Sequence, residues 1–181
     1  VKNPRFSYSG AKIITELLSL HCFKNKNIRS IICRPHNFYG PDMGDGHVIP
    51  QLINKIVIKT ENFKKNQINL KIQGTGNETR SFCYIDDAIN GIMKCAYYGK
   101  SEEIYNIGST EEISIKDLVN LISEKLKIKI NIEKSLLREG GTKRRCPDIK
   151  KISKLDFKNE ISLQRGLEET INWYTKNQNN N

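Results

Sequence analysis

What the sequence lacks narrows its function first. Its five cysteines (Cys22, Cys33, Cys83, Cys95 and Cys146) form no CxxC pair and are odd in number. That argues against a zinc knuckle or a disulfide framework and for reduced thiols. His36 and His47 have no acidic or cysteine ligand at useful spacing, so no metal site is expected. Apolar runs are as short as Ile56-Val57-Ile58, so no segment spans a bilayer and no membrane partner is expected. Val1-Lys2-Asn3-Pro4-Arg5 has neither the basic stretch nor the apolar run of a secretory signal. With the thiols, this makes a cytoplasmic protein the expectation. No GxGxxG or GxxGxxG occurs, so the sequence offers no Gly-rich turn to meet a dinucleotide pyrophosphate.

What is present fits one domain: 181 residues, against roughly 100–200 per domain. Lys plus Arg is 30 against 20 for Asp plus Glu, a formal net charge of +10. Lysine supplies 22 of those 30 and is scattered among Asn and Ile. The densest cluster, Lys143-Arg144-Arg145, has no interleaved aromatics. This argues against nucleic acid as a partner, and an anionic metabolite would use the same field. The alternative is a basic module that binds nucleic acid or an acidic protein without catalysis. A helix starts within the first ten residues and no Met precedes it, so the expectation is a piece of a longer protein.

Apolar periodicity predicts a helix over residues 7–26, with Ile13, Ile14, Leu17, Leu18 and Cys22 on one face. His21, on the same helix, is expected to be structural. A buried strand follows at 28–33, a loop at 34–46 and a helix at 48–60. Residues 61–69 are polar and aperiodic and read as an exposed loop. Strands are predicted at 70–73, 82–85, 103–107 and 128–132. Asp86 or Asp87 is expected to cap a helix that runs to residue 98, where Gly99 stops it. Ser114, with Asp117 at the third helical position, caps another helix to 126. A short helix near 148–154 and a last one at 162–176 complete an α/β pattern with parallel pairing.

Tyr8 and Lys12 stand at i and i+4, one turn apart on one helix face. A phenol titrates at about pH 10, and a nearby ammonium favours the phenolate, so the pair can accept a proton from an alcohol. Downstream come Arg34-Pro35-His36-Asn37-Phe38-Tyr39-Gly40-Pro41, Gly74-Thr75-Gly76, Arg80-Ser81-Phe82-Cys83-Tyr84-Ile85-Asp86-Asp87 and Tyr105-Asn106-Ile107-Gly108. Arg144-Arg145-Cys146-Pro147-Asp148 and Gly166-Leu167-Glu168-Glu169-Thr170-Ile171-Asn172-Trp173-Tyr174 follow. In this order the set resembles the C-terminal half of an extended short-chain dehydrogenase/reductase. More closely, it is similar to the NAD-dependent epimerase/dehydratase family that modifies nucleotide sugars.

The resemblance implies an α/β fold: the C-terminal part of a Rossmann-like parallel sheet interleaved with a smaller substrate-binding subdomain. Residues 1–40 and 81–110 would belong to the Rossmann part, 41–80 and 111–176 to the subdomain, and 177–181 to a disordered tail. Tyr8 would be the catalytic base and acid, with Lys12 lowering its pKa and binding the nicotinamide ribose. Pro35 and Asn37 would lie along the cofactor, NAD or NADP. Asn37, His47, Val48, Arg80 and Arg138 would hold a nucleoside-diphosphate sugar, the two arginines on phosphate. Gly141 stands where some epimerases carry an acidic ribose ligand. The Gly-rich turn and the catalytic Ser or Thr belong to the family's N-terminal half, so this stretch alone would be inactive. The reaction would be epimerisation or 4,6-dehydration through transient oxidation of a sugar hydroxyl, in a homodimer. Gly40-Pro41-Asp42-Met43 lacks the arginine of sugar-acid decarboxylases, which disfavours that outcome.

Overall fold

The computed structural model describes residues 5–24, 26–44, 46–136 and 141–177. α1 (Arg5–His21) leads into β1 (Ile31–Pro35), and a short β2 (Phe38–Tyr39) precedes α2 (Val48–Lys59). Then come β3 (Gln67–Lys71), β4 (Thr79–Ser81), β5 (Cys83–Tyr84), α3 (Ile85–Tyr98) and β6 (Glu103–Ile107). β7 (Glu112–Ser114), α4 (Ile115–Leu126), β8 (Lys129–Glu133), β9 (Arg144–Arg145), α5 (Lys150–Ser153) and α6 (Leu163–Asn177) complete the chain.

Helices between successive strands impose parallel pairing. β1 pairs with β6, β2 with β5, β3 with β8 and β4 with β9, all parallel, while β4–β7 is antiparallel. The fold is mixed α/β, as the alternating pattern predicts. One core gathers α2, β3, α4 and α6 around Ile49, Ile53, Leu70, Leu118, Ile122 and Leu167. A second, smaller core sits under β1 and β6, on Cys95, Tyr105, Ile107, Ile152 and Phe157.

Several sequence expectations are corrected. The strand expected at 28–33 starts three residues later and ends two residues later, and the loop at 34–46 contains β2. Residues 67–69, expected in an exposed loop, open β3. There Gln67, Asn69 and Lys71 are exposed while Ile68 and Leu70 are buried. That two-residue alternation belongs to a half-buried strand, and its polar members masked it. β4, β7 and β9 are two or three residues long, too short to carry a period. Ser114 does cap α4: its Oγ accepts the Asp117 N–H at 3.0 Å and donates to Asp117 Oδ2 at 2.6 Å.

Asp86 and Asp87 do not cap α3, because the helix starts at Ile85 with Tyr84 as its N-cap. The buried Asp87 carboxylate instead accepts the backbone N–H groups of Glu160 and Ile161, each at 3.1 Å, and so pins the approach to α6. Charge-assisted bonds contribute about 1.5–3 kcal/mol each. Asp87→Ala is therefore expected to cost roughly 3 kcal/mol in urea unfolding, since it orphans two partly buried donors. Gly99 ends α3 as expected but in extended backbone (φ −64°, ψ 146°). Glycine is required there because a Cβ would collide with the Cys95 carbonyl.

The largest departure concerns α1. Ile13, Ile14, Leu17 and Leu18 do share a face, but all four are exposed, as are His21 and Cys22. The periodicity correctly gives a helix and a face, and no described residue covers that face. α1 rests on β1, where Arg34 grips the Glu16 carboxylate through Nε at 2.7 Å and Nη2 at 2.5 Å.

Candidate functional site

Lys12 Nζ stands 5.5 Å from the centroid of the Tyr8 ring, within cation–π reach. The two side chains therefore lie together on α1, and Tyr8 is 71% exposed. β1 carries the chain from the α1 side of the sheet to Asn37, whose φ of 45° places it in the left-handed region. Asn37 Nδ2 donates to the Ser81 carbonyl at 2.9 Å, and the Asn37 carbonyl accepts the Cys83 N–H at 3.2 Å. Both bonds tie the end of β1 to β4 and β5.

Beside this tie opens a cavity of about 390 Å³, a volume usual for small-molecule sites. Asn37, His47, Val48 and Arg80 all line it. The cavity thus unites four of the residues expected on substrate. Tyr8, Lys12 and Pro35 are outside its lining. Arg138 lies outside the described residues.

The cavity also contains a cation that the sequence reading missed. β4 and β9 pair in parallel with Arg80 opposite Arg145 and Thr79 opposite Arg144. Because strand side chains alternate between faces, Arg80 and Arg145 share the cavity face. Arg144 points the other way, onto Glu112, with Nε 3.0 Å from both carboxylate oxygens and Nη2 2.5 Å from Oε1. Only this non-local register separates the two adjacent arginines, and the sequence showed just a short basic cluster.

Arg80 is held by the carbonyls of Thr79 at 2.6 Å and Thr142 at 2.8 Å. Arg145 Nε donates to Thr142 Oγ1 at 2.8 Å. Partial burial and then the positive charge of Arg145 push the pKa of Arg80 down, with Glu78 acting weakly against them. Two like charges held into one cavity favour an anion between them. Guanidinium forks suit phosphate or carboxylate oxygens in particular.

The Gly74-Thr75-Gly76 turn is not a phosphate seat. The buried Glu78 carboxylate already fills it, accepting the Thr75 N–H at 3.1 Å, the Thr75 hydroxyl at 3.2 Å and the Gly76 N–H at 2.9 Å. A Cβ at Gly74 would sit 2.5 Å from Glu78 Oε1. Burial raises the pKa of this carboxyl, but the backbone donors outweigh it and hold the group below its usual range.

The described fold thus holds a Tyr–Lys pair on α1 and a cavity with two arginines in its lining. The chain belongs to the NAD dependent epimerase/dehydratase family, whose model matches residues 1–108. It is 30% identical over 152 residues to the probable GDP-L-fucose synthase 1 of Oryza sativa subsp. japonica, covering 82% of this chain and 45% of that one. It is 29% identical over 190 residues to the dTDP-D-glucose 4,6-dehydratase of Bos taurus, covering 97% and 49%. A solved structure of UDP-glucuronic acid 4-epimerase from Bacillus cereus, in complex with UDP-glucuronic acid and NAD, superposes with a TM-score of 0.78 at 29% identity. It covers 93% of this chain and 52% of that one. The chain spans about half the length of the relatives it matches.

Proposed function

We propose that this chain supplies the substrate-binding half of an NAD(P)-dependent nucleotide-sugar epimerase or 4,6-dehydratase. The observation that carries the reading is the Lys12 ammonium poised over the Tyr8 ring on the helix that leads into the cavity-lining segment. The diphosphate of a nucleotide sugar sits between Arg80 and Arg145, and His47, Val48 and Asn37 border the sugar. The Lys12 ammonium stabilises the Tyr8 phenolate, which takes the proton from a sugar hydroxyl and becomes a neutral phenol. The cofactor, when bound, supplies the acceptor for hydride from the same sugar carbon. Tyr8, Lys12, Pro35 and Asn37 fit its nicotinamide-ribose end. The filled Gly74–Gly76 turn does not fit its pyrophosphate, so that contact comes from outside these residues, and this chain by itself is inactive.

The keto sugar formed in this way is re-reduced in an epimerase and loses water in a 4,6-dehydratase. Exposed apolar side chains on α1 and on α3, among them Leu17, Ile92 and Met93, support a homodimer through those helices. Turnover of a nucleotide sugar by the Tyr8→Phe variant in the complete holoenzyme, with nucleotide binding as control, tests the assignment.

A further inference from the structure

Arg80 and Arg145 account for the diphosphate, but the cavity has a second cationic wall. Val48, Gln51, Leu52 and Lys55 line it from successive turns of α2. Lys55 therefore lies about 10 Å along the helix from Val48, at 1.5 Å per residue. Lys71, the last residue of β3, and Gln73 also line the cavity. Neither Lys55 nor Lys71 has a carboxylate within ion-pair distance among the described residues, although Glu133 is the register neighbour of Lys71 on β8. The cavity's own carboxylate, Glu78, is engaged by the Thr75–Gly76 turn. This wall therefore offers donors in excess.

We propose that Lys55 and Lys71 read the base of the nucleotide and select guanosine diphosphate; this rests on the nucleotide-sugar reading above. With the sugar directed towards the Asn37 end of the cavity, the base falls at the Lys55 end. An ammonium has three donors and no acceptor. Guanine presents two adjacent acceptors, O6 and N7, whereas adenine sets an amino donor beside N7. Uracil and thymine set a ring N–H beside O4, and a donor facing that N–H is left unpaired, which costs affinity. Two donor-only heads thus fit the acceptor pair of guanine and oppose the other bases. The Gln51 amide can accept from the remaining guanine N–H groups.

Calorimetric titration of the protein with GDP, UDP, ADP and 7-deaza-GDP tests this. GDP is expected to bind about tenfold or more tightly than UDP and ADP, the scale of discrimination that a well-matched base contact gives. The 7-deaza analogue, which lacks the N7 acceptor, is expected to lose most of that advantage. In the Lys55→Met, Lys71→Met double variant, which keeps the aliphatic stems, GDP and UDP converge. Equal binding of GDP and UDP by the unaltered protein would overturn the proposal and leave the nucleotide reading standing. A GDP preference that survives in the double variant would overturn it too. If none of the four binds, the nucleotide reading fails with it.

Discussion

In the complete holoenzyme, replacing Tyr8 with phenylalanine is expected to lower kcat by about 10²–10⁴-fold, the usual contribution of a positioned acid–base group, while nucleotide binding persists. The substitution removes one oxygen. It leaves the aromatic ring under the Lys12 ammonium, so the conformation of α1 is preserved. Among the described residues the Tyr8 hydroxyl has no hydrogen-bond partner, and the ring is largely exposed, so the fold loses nothing with that oxygen. A loss of turnover then reports chemistry and not unfolding. Unchanged turnover would remove Tyr8 from the reaction.

The second large effect is expected at the arginine pair. A hydrogen bond to a charged group is worth about 1.5–3 kcal/mol, or roughly 10- to 100-fold in affinity for each arginine. The Arg80→Gln, Arg145→Gln double variant should therefore bind nucleoside diphosphates about 10²-fold or more weakly. The single variants should separate binding from stability. Arg145 is exposed, and its charge repels that of Arg80, so Arg145→Gln is expected to weaken binding while the Tm of the ligand-free protein holds or rises. Arg80→Gln gives up bonds to the Thr79 and Thr142 carbonyls, so binding and Tm should fall together. Equal losses of Tm in both variants would make Arg145 a structural residue.

How much of this was legible in the sequence depended on how local each feature is. Tyr8 and Lys12 are one helical turn apart, so spacing alone brought them together. The Ser114–Asp117 cap is equally local and formed as expected. Arg145 could not be found this way, because its aim is fixed by pairing with a strand more than sixty residues earlier in the chain. The same holds for Asp87, read as a helix cap yet bonded to the backbone at residues 160 and 161. Helix α1 shows the limit from the other side. Its apolar stripe is plain in the sequence, but periodicity does not say what covers a stripe, and no described residue covers this one.

The proposed site has two parts, a Tyr–Lys pair on α1 and an arginine-lined cavity between α2 and β4. The most direct measurement is a crystal structure of the holoenzyme with a nucleotide sugar and NAD or NADP bound. It should place the diphosphate on Arg80 and Arg145, and a sugar hydroxyl within about 2.6–3.2 Å of the Tyr8 oxygen, the reach required of a general base. A nucleotide bound away from those arginines, or a sugar with every hydroxyl out of reach of Tyr8, would contradict it.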